Sequence, residues 1–426
     1  MEKNSMTLHF IKLGSSNLIK MLVGFIYLKI ISSYITPEEF GSLGQFLTFV
    51  AIVSMLSLGG GNNGMVKYLS ENKGDYKSWL KVFNQNFTIV AIINIILFFI
   101  LFFFANEFSF LIFTSVLHAD IIRYYAIVQL FVAFGLYSNV FFISGVDTWN
   151  SSLQTVFNSA LFLITVLIGV LFFTEKSLIY TAMFVNLFMG IYGVIYFFKK
   201  RKQYCGVFSL TRIESGYVKK LSGYAMVTIS GAVLWPVSQF ILRKEIGTEL
   251  GWGVVGYWFA SIKISDAYIQ FFSIFLLSYL YPKLSSVNKK DIKVKNFKGF
   301  MVFYIPMLIG SLIVVYFGRD IIVWLLLGKE FKLVASYVQL QIIGDVIKLL
   351  YSSLLMYILS CGKVKYSIAV EFLNSIVFIS ATLFLISYVG WRAPLIGYVI
   401  TQSITLLYVY FYYEKVRKIE YTDIVQ

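Results

Sequence analysis

An apolar run long enough to cross a bilayer constrains a chain more than any short motif does, and this sequence holds about a dozen of them. A helix rises about 1.5 Å per residue, so roughly 20 residues cover a hydrocarbon core of about 30 Å. Inside that core each backbone N–H and C=O must be satisfied within its own segment, so runs of this length span as helices. The segments fall near residues 9–34, 43–68, 80–104, 121–144, 153–174, 178–198, 221–245, 253–281, 299–317, 332–361, 364–387 and 393–413. LIFTSVLHAD and IIVWLLLGKEF are too short to span and read as interfacial turns. Composition agrees: the chain is 58% hydrophobic and 13% charged, with a mean hydropathy of +0.78, whereas soluble domains carry about 25% charged residues. It has too little polar surface to cover itself in water, and the expectation is an all-α polytopic membrane protein.

The formal charge is +15, which in a soluble protein would suggest nucleic acid as a partner. Here the basic residues sit in short loops between apolar segments, so membrane topology accounts for them and no nucleic-acid role follows. Lys73 and Lys77, the run Lys199 to Lys202, then Arg212, Lys219 and Lys220 alternate with spans as inner loops should. So do the cluster from Lys283 to Lys298, the pair Lys363 and Lys365, and the tail residues Lys415, Arg417 and Lys418. The opposite loops hold Lys176, Arg319, Lys329, Lys332 and Arg392. Both termini are therefore expected in the cytoplasm, with an even number of spans. No small-residue cleavage site follows the first apolar run, so the first helix is expected to be retained.

Several chemistries find no support. Two cysteines, Cys205 and Cys361, make no disulfide framework, and His9 and His118 make no metal site. No Walker A, HExxH, Ser/His/Asp or Cys/His pattern is present, so neither an ATP motor nor an enzyme is expected, and no cofactor.

The longest polar segment, KKRKQYCGVFSLTRIESGYVKK, falls midway. It divides the chain into a six-helix bundle over 1–198, a basic cytoplasmic linker over 199–220, a second six-helix bundle over 221–413 and a tail over 414–426. The halves share weak motifs in register. Phe40-Gly41-x-x-Gly44-x-Phe46 resembles Trp252-Gly253-x-x-Gly256-x-Trp258, Tyr137-Ser138 resembles Tyr351-Ser352, and Asn158-Ser159 resembles Asn374-Ser375, at offsets of 212, 214 and 216 residues. Six helices per repeat preserve orientation, so the halves would be related by a pseudo-two-fold axis along the membrane normal.

Ionisable side chains at membrane depth cost about 2.5–3.5 kcal/mol each on insertion scales, so they are rarely idle. Gln341, Asp345, Lys348 and Ser352 form one polar stripe at helical spacing, and Lys263, Asp266, Gln270 and Ser273 form another. Glu371, Asn374 and Ser375 share a face near one end of the eleventh segment. Two readings of these groups stand: ion pairs that glue helices together, or the lining of a wet cavity. The first segment carries Lys12, Lys20 and Lys29 with no acid to neutralise them; Lys12 and Lys29 can snorkel to opposite interfaces, whereas Lys20 lies deeper. Arg243 adds a cation near the end of the seventh segment. The run Gly59, Gly60, Gly61, Asn62 and Asn63 should weaken or break the second helix, and serves a hinge or a close packing contact equally well. Pro236 and Pro306 each remove a backbone hydrogen bond within a span.

ITPEEFGSLGQF after the first helix, the Gly/Asn run followed by MVKYLSE, the IIVWLLLGKEF element, the length and the six-plus-six count together resemble Wzx-type O-antigen flippases. These are polysaccharide members of the multidrug/oligosaccharidyl-lipid/polysaccharide exporter superfamily. The resemblance implies a MATE-like, V-shaped pair of bundles in the bacterial inner membrane. It implies alternating-access transfer of undecaprenyl-diphosphate-linked oligosaccharide repeat units from the inner to the outer leaflet, for lipopolysaccharide O-antigen biosynthesis. By depth, Lys12, Lys20, Lys29, Arg243, Lys263 and Lys348 match the family's cationic cavity. Asp266, Asp345 and Glu371 match its ion-coupling acids, with a proton or sodium ion as partner. The O-antigen polymerase and chain-length regulator join the membrane lipids as implied partners. The alternatives are a multidrug cation antiporter of the same superfamily, against which the lysines speak, and a membrane polymerase or glycosyltransferase, for which clustered loop acids are lacking.

Overall fold

The computed structural model describes the backbone of residues 2–145, 147–172, 175–287 and 289–422. The described residues are helical almost throughout and divide into two compact units.

The first unit comprises Met1–Ile35 and Ser42–Pro236. Its helices are α1 (Glu2–Tyr34), α2 (Pro37–Ser57), α3 (Asn62–Glu71), α4 (Tyr76–Phe103), α5 (Ala105–Phe113), α6 (Ala119–Ser144), α7 (Thr148–Phe172), α8 (Leu187–Lys199) and the start of α9 (Ser215–Leu250). Local chemistry sets their ends. Asp75 caps α4, accepting from the backbone N–H of Lys77 and Ser78, each at 3.2 Å, and from the Ser78 hydroxyl at 2.6 Å. Between α2 and α3 the glycine run breaks the helix, with Gly59 and Gly60 at φ +59° and +65°, a region that favours glycine. The freed Ser57 carbonyl accepts from Asn94 Nδ2 of α4 at 2.8 Å, and Asn94 Oδ1 accepts from Gln129 of α6.

A second break interrupts the expected span 178–198. Glu175–Phe184 forms 3-10 turns, Val185 and Asn186 turn, and α8 follows. Side-chain amides of α7 take up the loose backbone groups. Asn158 donates to the Val185 carbonyl at 2.9 Å and accepts from Met189 N–H at 3.2 Å, and Gln154 donates to the Met189 carbonyl at 3.0 Å. Next to the break α6 and α8 cross closely, since a Cβ on Gly190 would collide with the Phe131 carbonyl.

The chain after α8 lies down on this unit. Asn84 Nδ2 donates to the Gly206 carbonyl at 2.8 Å, Tyr76 donates to the Cys205 carbonyl at 2.8 Å, and Thr211 N–H donates to Thr88 Oγ1 at 3.0 Å. Phe208 enters an aromatic cluster with Phe83, Phe87, Phe134 and Phe197.

The second unit comprises Thr36–Gly41 and Val237–Gln426. It holds the rest of α9, then α10 (Trp252–Phe275), α11 (Tyr281–Ser285), α12 (Lys290–Leu326), α13 (Val334–Ser360), α14 (Val364–Val389) and α15 (Ala393–Thr422), with one π-helical turn over Leu276–Leu280. α12 runs nine residues past its expected end. IIVWLL thus continues a helix through Leu326, past the one glycine on the way, Gly318, and extended backbone at Leu327 and Gly328 stops it. Thr36 and Glu39 form a reciprocal capping box with Pro37 at the first helical position. That segment packs on the start of α10: a Cβ on Gly41 would stand 2.5 Å from the Trp252 carbonyl, and one on Gly256 would collide with the Pro37 carbonyl.

Ten stretches of the described residues are long and apolar enough to cross a membrane, of which 364–417 holds two helices, α14 and α15. Among the described residues the expected spans fall mainly on helix, the seventh of them on α9, while 43–68 and 178–198 carry the two breaks described above.

Candidate functional site

Two polar clusters occupy the second unit, side by side along α10. In the first, Arg243 of α9 is buried, bonds Gln239 one turn back at 3.2 Å, and lies 4.8 Å from the Phe259 ring centroid and 5.7 Å from that of Trp258. Lys263 of α10 lies 5.3 Å from the same Phe259 ring and pairs with Asp266, which is exposed, at 3.1 Å. One aromatic ring thus serves two cations, and it is itself packed against Phe40.

The second cluster centres on Asp345 of α13, which has no exposed surface. Each carboxylate oxygen accepts from two neutral groups. Oδ2 takes the hydroxyls of Ser265, at 2.6 Å, and Tyr268; Oδ1 takes Tyr398 at 2.9 Å and Gln341 at 3.2 Å. Burying a carboxyl is costly unless it is so bonded. One turn on, Lys348 is half-buried, and its charge acts on both Asp345 and the half-buried Glu371 of α14. Beyond it Asn374 links α14 to both neighbours, donating to Tyr351 of α13 at 3.3 Å and accepting from Thr405 of α15 at 2.5 Å.

Of the sequence candidates, the structure brings Arg243, Lys263 and Asp266 together, and separately Asp345, Lys348 and Glu371. Asp345 is met by Ser265 and Tyr268, the face of α10 beside Lys263 and Asp266, while Gln270 points outward. In the first unit, Lys20 is exposed and Lys29 half-buried on α1, while the side chain of Lys12 lies outside those described. Gly59 and Gly60 make the break described above, Gly61 caps α3 with the Leu221 side chain 3.2 Å from where a Cβ would be, Asn62 is half-buried and Asn63 exposed. Pro236 and Pro306 sit within α9 and α12. Tyr268 and Tyr398 were not legible as partners of Asp345. The signal was there, since a tyrosine several residues inside a span, away from either interface, must find a partner for its hydroxyl.

These features define a class, a polytopic membrane protein with the MATE-like transporter fold. The chain superposes on an inward-facing MATE-family multidrug resistance transporter of the MOP superfamily with a TM-score of 0.77 at 13% identity, over 96% of this chain and 99% of that one. It superposes on the lipid II flippase MurJ, in an inward closed conformation, with a TM-score of 0.71 at 12% identity, over 95% and 87%. The chain belongs to the polysaccharide biosynthesis protein family, whose sequence model matches residues 9–288. It is 24% identical to the lipid III flippase of Escherichia coli (strain K12) over 347 residues, which is 79% of this chain and 80% of that protein. It is 23% identical to a membrane protein in the cps region of Klebsiella pneumoniae over 408 residues, 93% and 80% of the two. The relatives with a named activity are flippases and transporters, not enzymes.

Proposed function

We propose that the chain carries a lipid-linked oligosaccharide from one leaflet to the other, the cargo being an undecaprenyl-diphosphate-linked O-antigen repeat unit in the bacterial inner membrane, with both termini cytoplasmic. The observation that carries this reading is the Arg243–Phe259–Lys263 cluster, a cationic group in a membrane-spanning unit of a polysaccharide-family protein. A diphosphate cannot enter hydrocarbon without a polar path, whereas its prenyl tail can stay in lipid. Arg243, Lys263 and Lys348 receive the phosphates in the second unit, and Lys12, Lys20 and Lys29 in the first. Asp345 is the coupling carboxylate, with Glu371 and Asp266 as the outer acids that exchange a proton or sodium ion with water. The kinship with lipid II and lipid III flippases supports the chemical class of the cargo.

Deleting the gene in its host and assaying surface polysaccharide together with lipid-linked repeat units tests this. Loss of polymer with accumulation of complete repeat units is expected. Lys20→Ala and Lys348→Ala, expressed at normal levels, should each fail to restore the polymer; restoration by both would sink the cationic reading. Normal polymer with altered drug sensitivity would move the chain to the multidrug branch.

A further inference from the structure

Between Asp345 and Glu371 the interface of α13, α14 and α15 is polar where a helix interface in a bilayer is ordinarily apolar. Three of its buried atoms have no hydrogen-bond partner: Gln402 Oε1, Ser375 Oγ and Thr382 Oγ1. The three residues are 1%, 6% and 0% exposed. An unpartnered buried polar atom costs about 1–3 kcal/mol, and three on one interface indicate an unseen partner. Their positions trace a line. Thr382 directs its hydroxyl at α15 beside Tyr398, since a Cβ on Gly397 would collide with it. Gln402 lies one turn along from Tyr398 on the same buried face, and Thr405 a further turn along bonds Asn374. From Tyr398 to Thr405 is about 10 Å at helical rise. Glu371 lies one turn beyond Asn374, near the end of α14 adjoining the turn after α13.

We propose that this line holds a file of internal waters connecting Asp345 to Glu371, so that the buried carboxylate exchanges protons with solvent at that end of the unit. The inference rests on reading Asp345 as the coupling group. Buried waters ordinarily take two to four polar partners, and Tyr398, Thr382, Gln402, Ser375, Thr405 and Asn374 supply them. The step balances: the Glu371 carboxyl gives its proton to the nearest water, each water passes one on, the last gives one to the Tyr398 hydroxyl oxygen, and Tyr398 passes its own proton along its existing bond to Asp345 Oδ1. An O–H bond breaks at Glu371 and one forms at Asp345, while the amides of Gln402 and Asn374 keep their protons and only hold the waters. The titratable and charged groups around Asp345 are Tyr268 on α10, Tyr398 on α15, Lys348 on its own helix and, through Lys348, Glu371 on α14.

The test uses the full chain in lipid nanodiscs and infrared detection of protonated-carboxyl C=O bands after a pH jump, in H₂O and D₂O. Asp345→Asn should remove one band, which identifies it. Gln402→Leu should slow the response of that band about tenfold or more while leaving its final amplitude unchanged, because Gln402 is uncharged and does not bond Asp345; Glu371→Gln should slow it to a similar degree. Thr405→Val, nearly isosteric, provides the same test should Gln402→Leu not fold. Wild-type rates in Glu371→Gln together with either interface variant would overturn the file; no change in any band with Asp345→Asn would overturn the titration of Asp345 itself. Export is not measured in this experiment, so failure here leaves the flippase reading to its own assay.

Discussion

Gly256 and Gly41 show how much one hydrogen atom decides. Their backbones approach so closely that a methyl group at either would strike a carbonyl oxygen, and a carbonyl within a capped helix cannot swing aside as a flexible side chain can. Gly256→Ala should therefore destabilise the protein by about 1–3 kcal/mol, the usual cost of overpacking, seen as a lower melting temperature in detergent. Gly253→Ala is the control, because a Cβ there meets only the flexible Glu38 side chain at 3.6 Å. Asp75 makes a prediction about pH. Bonds from the Ser78 hydroxyl, then from the Ser78 and Lys77 amides, hold its carboxyl below the ordinary carboxylate value. The cap is thus at full strength above the ordinary carboxylate pKa and is lost as pH falls through the lowered one. Asp75→Ala should melt earlier than wild type at neutral pH, and the gap should close in strong acid. Glu214, held low by its 2.5 Å pair with Lys81, adds to the loss in the same direction.

At the scale of elements, helices were legible and their interruptions were not. Twenty apolar residues announce a span whatever surrounds them, so α4, α7 and α13 could be placed from hydropathy alone. The break at Val185 and Asn186 could not, because nothing in TAMFVNLFMG forbids a helix. The break exists through Asn158 and Gln154, about 30 residues earlier, whose amides replace the missing backbone bonds. The glycine run was legible for the opposite reason, since three adjacent glycines weaken a helix in any context. Asn158→Leu keeps the volume and removes both bonds to the break, leaving the Val185 carbonyl without that donor. It should cost about 1–3 kcal/mol and speed hydrogen exchange of the amides from 185 to 189, measured by mass spectrometry. Unchanged exchange there would mean that the break is held by something other than Asn158.

For the whole molecule, the sequence carried the kinds of residue at the site better than their company. That Asp345 is buried and served by polar neighbours follows from a charge amid apolar residues. Which neighbours serve it depends on the rotation of α10 and α15 about their axes. Hydropathy cannot fix that rotation, so Ser265 and Tyr268 could not be picked out in advance as partners of Asp345. The two units also share out the chain in a way no composition shift marks, with Thr36–Gly41 belonging to the second unit and α9 divided at Pro236.

The connector between α8 and α9 shows what such packing does to an otherwise ordinary sequence. Lys199, Lys200, Arg201 and Lys202 lie on the surface and offer trypsin four consecutive cleavage sites. A protease, however, must draw an extended stretch of substrate into its cleft, and this stretch has none to give. Upstream it is the last turn of a helix, the amides of Gln203 and Tyr204 fold back on Lys200, and from Cys205 onward the chain is tied to α4. The folded protein should resist nicking at its most basic segment until Phe208 leaves its aromatic nest, so the appearance of two half-length fragments under limited proteolysis would time that undocking.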